Sequence, residues 1–115
     1  MEEDQILYNF VTELNRGTMT LCVLASLTTK QYGYSLLQRL AEKGIELEAN
    51  TLYPMLRRLE NQGVLVSSWD TSESRPRKFY TLSDKGKAIF TLLKEQWDTQ
   101  QMRITSLLRE EESHA

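Results

Sequence analysis

A mainly helical fold with one small β-hairpin is predicted by three features of this 115-residue sequence. Between residues 50 and 63, apolar side chains recur with a helical period and leave a polar face opposite. From Val64 the period changes to that of strands, in two runs, LVSSWD and KFYTL, separated by TSESRPR. After Ser83 a helical pattern runs to about Glu110 without proline. Short helices, a polar-faced helix, a hairpin and a long closing helix together predict a winged helix-turn-helix with a C-terminal dimerisation helix. The winged part, with its N-terminal helix, is placed at residues 1–82, and the dimerisation helix with its acidic tail at residues 83–115.

The first helix is expected over residues 5–15, where Ile6, Leu7, Phe10, Val11 and Leu14 share one face and Asn15-Arg16-Gly17 closes it. Its apolar face needs a partner. Thr18 is suited to cap a second helix whose Met19, Leu21, Cys22, Val23, Leu24 and Leu27 point all round the axis, as in a helix buried on most sides. Cys22 then reads as a small core hydrophobe, since no neighbour in sequence would stabilise a thiolate. The loop KQYGYS leads into a third helix with Leu36, Leu37, Leu40 and Ala41 on one side and Lys43-Gly44 as its stop. Tyr32 and Tyr34 read first as aromatics pinning that helix start into the core, with Tyr32 kept as a candidate DNA-binding residue.

The central helix groups Leu52, Met55, Leu56 and Leu59 on its back. Asn50, Pro54, Arg57 and Asn61 centre the opposite face, flanked by Tyr53 and Arg58. Asn50 is assigned as N-cap, Pro54 falls where a missing donor costs little, and Gly63 suits the C-terminal stop. A solvated charged face would look the same; the hairpin behind it argues for a recognition helix. Arg75, Arg77 and Lys78 gather around the hairpin tip, where they reach a phosphate or a minor groove, although charges also protect strand edges. In the last helix Ile89, Phe90, Leu93, Trp97, Ile104, Leu107 and Leu108 form one stripe. So small a domain has no core left for its distal half, so a second copy of the helix is its expected partner, with Leu93, Trp97, Ile104, Leu107 and Leu108 at the interface. The acidic ends are expected to fray.

Composition allows one globular domain and excludes several function classes. No apolar run approaches a membrane span and the acidic start MEEDQ is unlike a secretory signal, which predicts a cytoplasmic protein. One cysteine and one histidine, His114, build neither a disulfide nor a soft metal site, and no cofactor is implied. No glycine loop for phosphates, acid–base pair or nucleophile with its base is present, so an enzyme is not expected. Net charge is −2, but residues 5–109 hold 14 basic against 10 acidic groups, and residues 50–87 hold seven against four. A local basic face is thus compatible with an acidic whole.

Together, RGTMTLCVLASL, YGYSLLQRL, TLYPMLRRLENQGVL, RPRKFYTLSDKGK and a single long C-terminal helix resemble the PadR family of transcriptional regulators over about residues 16–110. The resemblance is to the family's compact subgroup, and implies a winged-helix homodimer that mostly represses, in some members under the control of phenolic acids or flat aromatic drugs. It implies that Asn50, Thr51, Tyr53, Pro54 and Arg57 lie near double-stranded DNA, that Arg75, Arg77 and Lys78 belong to the wing, and that Trp97 sits in the dimer-forming helix. There it either stacks an aromatic effector between subunits or serves as dimer core; Gln96, Gln100 and Gln101 make that helix rather polar for a drug site. Arg57 and Arg58 remain interchangeable as base readers. Two other readings stay open: a winged-helix protein-interaction module, whose binding would not fall steeply with salt, and a DNA-binding repressor with no small-molecule ligand.

Overall fold

The computed structural model describes residues 2–114, apart from the side chains of residues 113 and 114, so the expectation for the tail histidine lies outside it. In chain order the elements are α1 (Glu2–Arg16), α2 (Met19–Ser26), β1 (Gln31–Tyr32), α3 (Gly33–Glu42), α4 (Ala49–Asn61), β2 (Leu65–Asp70), β3 (Arg77–Leu82) and α5 (Asp84–His114). The acidic ends are helical. Glu2, Glu3 and Asp4 form the first turn of α1 and Arg16 its last, each opposing the helix dipole in the favourable sense, which explains a start earlier than residue 5.

The core lies where α2, α3, α4 and the sheet meet. Val23, Leu24 and Leu27 pack there with Leu36 and Leu40 of α3 and with Leu52, Met55, Leu56 and Leu59 of α4, closed by Leu65, Tyr80 and Leu82 of the strands. Thr18 precedes α2, but its hydroxyl donates back to the Asn15 carbonyl at 3.0 Å instead of capping the helix. Burial pushes the thiol pKa of half-buried Cys22 up, as expected of a core hydrophobe. Gly44 and Gly63 end α3 and α4 at φ +78°, the left-handed region that closes helices.

The segment read as the loop KQYGYS contains a strand. β1 pairs antiparallel with β3, Gln31 opposite Tyr80 and Tyr32 opposite Phe79, giving a sheet of order β1-β3-β2. Two residues carry no period, and the pairing spans nearly fifty positions, so nothing local announces it. Tyr32 meets Phe79 edge to face at 5.5 Å, whereas Tyr34 is 59% exposed and pins nothing. Ala41 is likewise exposed, so the packed face of α3 is narrower than expected. β2 and β3 run in register from Leu65–Leu82 to Asp70–Arg77. Alternation puts Leu65, Ser67, Trp69, Lys78, Tyr80 and Leu82 on the inner face toward the helices, and Val66, Ser68, Asp70, Arg77, Phe79 and Thr81 on the outer one.

α5 starts hard against the root of the wing. The Ser83 hydroxyl donates to the Gly63 carbonyl at 2.6 Å and accepts the Gly86 N–H at 2.9 Å, while Lys85 Nζ donates to the Gln62 carbonyl at 3.0 Å. Gly86 lies against the Val64 carbonyl so closely that a Cβ would overlap it. Phe90 and Leu93 complete the core from α5. Beyond them α5 leaves the domain, and the radius of gyration is 17.5 Å, against about 13 Å for a compact chain of this length.

Candidate nucleic-acid interface

α4 presents two faces that differ in chemistry. Leu52, Met55, Leu56 and Leu59 are buried, whereas Asn50, Thr51, Tyr53, Pro54, Arg57, Arg58 and Asn61 are exposed, and all lie on one helix beside the wing. The helix begins one residue before Asn50. Its N-cap is Glu48, whose extended backbone (φ −82°, ψ 148°) lets its carbonyl accept from Thr51 and Leu52 at 3.0 Å. Asn50 is therefore inside the first turn with its side chain released from capping. Pro54 lies inside the helix and has no N–H to give the Asn50 carbonyl four residues earlier.

Tyr53 stands on this face because of a residue three-dimensionally beneath it. An ideal Cβ on Gly33, the first residue of α3, would lie 2.5 Å from Tyr53 Cε1 and Oη. Only a hydrogen fits there, so glycine at the start of α3 sets how closely the two helices of the helix-turn-helix approach. The Ser35 hydroxyl accepts the Tyr32 N–H at 3.1 Å and so fixes the turn leading into α3.

The wing carries its cations on both faces. On the outer face the Arg77 guanidinium lies 4.9 Å from the centroid of the Tyr32 ring and 3.3 Å from the Glu73 carboxylate, and Lys30 Nζ lies 4.7 Å from the Phe79 centroid. Tyr32 is thus a platform under a wing arginine, holding its planar fork in place. Arg75 is exposed at the tip. Asp70 closes the turn by accepting the Ser72 N–H at 2.9 Å, and bonds from Ser72 hold its carboxyl below the usual range.

On the inner face Lys78 is already engaged. Its ammonium donates to Glu60 Oε1 on α4 at 3.1 Å and lies 5.2 Å over the Tyr80 ring. The Ser67 hydroxyl donates to the other oxygen of the same carboxylate. The Ser67 bond, and after it Lys78, hold the Glu60 carboxyl below its ordinary value, and the bond to Glu60 raises Lys78. Neither Glu60 and Ser67 nor Gly33 stands out in the sequence as a site residue. Each works through a neighbour that is distant in the chain, and no periodicity reveals such pairs.

Two apolar surfaces stand apart from this region. α1 buries none of its residues: Leu7, Phe10 and Leu14 are each more than 60% exposed. On α5, Leu93 is drawn into its own domain, while Trp97 is 39%, Ile104 48%, Leu107 57% and Leu108 58% exposed. No helix among the described residues is long and apolar enough to cross a membrane.

Known proteins share these features. Residues 21–92 match the transcriptional regulator PadR-like family. A PadR family transcriptional regulator from Eggerthella lenta has a similar structure, with TM-score 0.89 and 44% identity over 94% of this chain and 96% of that one. A PadR-like transcription factor from Bacteroides fragilis superposes with TM-score 0.72 and 28% identity, covering 86% and 98% of the two chains. The transcriptional regulator Rv3488 of Mycobacterium tuberculosis is 34% identical over 80 residues, 69% of this chain and 75% of the relative. The winged helix-turn-helix, with a polar α4 beside a basic wing, is that of a transcription factor, and the chain belongs to the PadR family of transcriptional regulators.

Proposed function

We propose that this regulator is a homodimeric repressor that binds an inverted-repeat operator through α4 and the wing of each subunit. The observation that carries the dimer is the pair of unpartnered apolar stripes on α1 and the distal half of α5. Together they expose on the order of 1,000 Å² of apolar surface, and each is at or above the few hundred Å² of the largest patch on a typical monomer. A second copy covers both stripes at once and reaches the size class of obligate dimers, about 2,000 Å² in total or more. A protein-interaction module would not explain why Arg57, Arg58, Arg75 and Arg77 are all exposed on α4 and the adjoining wing.

In this reading Asn50, Thr51, Tyr53, Pro54, Arg57 and Arg58 enter the major groove, and Arg75 and Arg77 meet the flanking phosphates. Two-fold symmetry sets the half-sites one turn apart, roughly 34–36 Å, or a multiple of it. Sedimentation of the intact chain at micromolar concentration is expected to give a dimer, and a chain cut after Glu95, which keeps Phe90 and Leu93 in the core, a monomer that has lost specific DNA affinity. A monomeric intact chain would remove the argument. A gel-shift with DNA from upstream of its own gene, with and without aromatic compounds, tests repressor and effector together. The effector site is proposed at Trp97, where two symmetry-related indoles near the dimer axis offer a flat ligand both faces.

A further inference from the structure

We propose that Glu60 is a positioning residue for DNA recognition: its carboxylate clasps the wing to α4, and Lys78 serves this clasp instead of a phosphate. The proposal rests on the reading of α4 and the wing as the DNA-binding surface. One carboxylate touches three elements, with Glu60 on α4, Ser67 of β2 on one oxygen and Lys78 of β3 on the other at 3.1 Å. The side chains of Lys78 and Glu60 are 31% and 29% exposed, shielded enough for the pair to outlast an exposed one such as Arg77–Glu73 at 44% and 67%.

The location gives the clasp its effect. Among the described residues it is the polar tie between α4 and the hairpin that lies furthest toward the tip. Past it the inner face offers only Trp69, 63% exposed. The hairpin root is fixed separately, where the Val64 N–H donates to the Leu59 carbonyl at 2.9 Å. The clasp adds to this root, to the pairing of β1 with β3 and to the packing of Leu65, Tyr80 and Leu82, and fixes the angle of the part of the hairpin beyond them. In this reading that angle matters because α4 in the major groove and the tip at the minor groove would straddle a phosphate strand that passes the inner face of the wing. A bare carboxylate there would repel it. Lys78 cancels the charge while the two hydrogen bonds keep the oxygens in place.

The test separates a clasp from a contact by two readouts. Affinity is measured against salt for a random-sequence duplex and for a duplex enriched by selection against the parent protein. Lys78→Ala is expected to lower the ratio of selected to random affinity by about tenfold, the scale of one lost charge-assisted tie, a loss that a plain phosphate contact, felt equally by both duplexes, would not produce. Glu60→Ala, which frees Lys78, is expected to lower that ratio similarly while steepening the slope on random DNA by about one unit. Glu60→Gln keeps both acceptor and shape, and is expected to restore most of the ratio. Ser67→Ala removes one arm without changing charge and is expected to lower the ratio less, with the slope intact. A Lys78→Ala slope shallower by about one unit with an unchanged ratio would overturn the proposal, as would a Glu60→Ala ratio equal to the parent's. Failure of the DNA-binding reading looks different: Arg75→Ala with Arg77→Ala would then leave both affinity and slope untouched.

Discussion

Replacing Gly33 by alanine sets two effects against each other. Alanine at a helical position is favoured over glycine by at most about 1 kcal/mol, and less at the first residue of a helix. The added Cβ would lie 2.5 Å from Tyr53 Cε1 and Oη and 2.7 Å from Cζ, about 1 Å inside ordinary contact. Either α3 and α4 separate, at the 1–3 kcal/mol typical of overpacking, or the ring swings outward. Tyr53 is 40% exposed, so swinging out forfeits roughly half of its burial, about 1.5 kcal/mol at 25 cal/mol per Å². Both routes exceed the helix gain, and Gly33→Ala is expected to destabilise by about 1–2 kcal/mol. Urea unfolding of the two single variants and of Gly33→Ala with Tyr53→Ala closes a double-mutant cycle. With the ring absent, Gly33→Ala should become neutral or slightly stabilising, for a coupling of about 2 kcal/mol. A Gly33→Ala protein as stable as the parent, or a coupling near zero, would refute the close approach of Tyr53 to α3.

Gly86→Ala should cost about 3 kcal/mol or more in the same assay, because its Cβ meets the Val64 backbone carbonyl, which no side-chain rotation relieves. Gly17→Ala, with nothing within 4 Å of its Cβ, should be neutral or stabilising and is the control. The Glu60 carboxyl is lowered in the folded chain, so its contribution is present above the ordinary value of 4.5 and lost as pH falls through the lowered one. Lys78 is raised, so its share persists below 10.5 and fades as pH rises through the raised value. The difference in urea midpoint between parent and Glu60→Gln should therefore be flat between these limits and shrink on the acid side. For the effector, fluorescence quenching by flat aromatic compounds should vanish in Trp97→Ala, which retains Trp69; quenching that persists would leave Trp97 as dimer core.

Most of the helices and the hairpin were legible because each repeats a period over six or more residues. The back of α4 and the extent of LVSSWD as a strand needed nothing beyond that. Several misses have partners far away in sequence. β1 exists only through β3, and the ring of Tyr32 lies under Arg77, a contact that no local pattern announces. Asn50 was a good N-cap by residue type, yet Glu48 takes the position because the helix extends two residues further before the backbone turns. The stripe on α5 was read as one surface, but the globular domain takes Phe90 and Leu93 and leaves the rest from Trp97 onward exposed. Lys78 shows the same effect at the candidate site. Composition groups it with Arg75 and Arg77, while strand alternation turns it to the opposite face from Arg77, within reach of an acid on α4.

The junction of α4, wing and α5 bears on how an event at the subunit interface would reach DNA. Gly86 seats α5 on the Val64 carbonyl, Ser83 bridges to Gly63, and Lys85 reaches Gln62, so α5 begins on the same turn that ends α4. A joint of this kind has little freedom to flex, and α5 and α4 move as one body. Trp97 lies eleven residues beyond Gly86, roughly 16 Å along the helix axis. In the proposed dimer, a ligand that wedged the two α5 helices apart would therefore turn each whole winged domain instead of bending it. With α4 about 17 Å from the dimer axis, half the spacing of adjacent half-sites, a turn of roughly 5° shifts each recognition helix by about 1.5 Å. Hydrogen bonds to base edges tolerate only a few tenths of an ångström. In that proposed dimer a small change in crossing angle at Trp97 would thus be enough to break both half-site contacts at once, provided the ligand prefers the turned geometry.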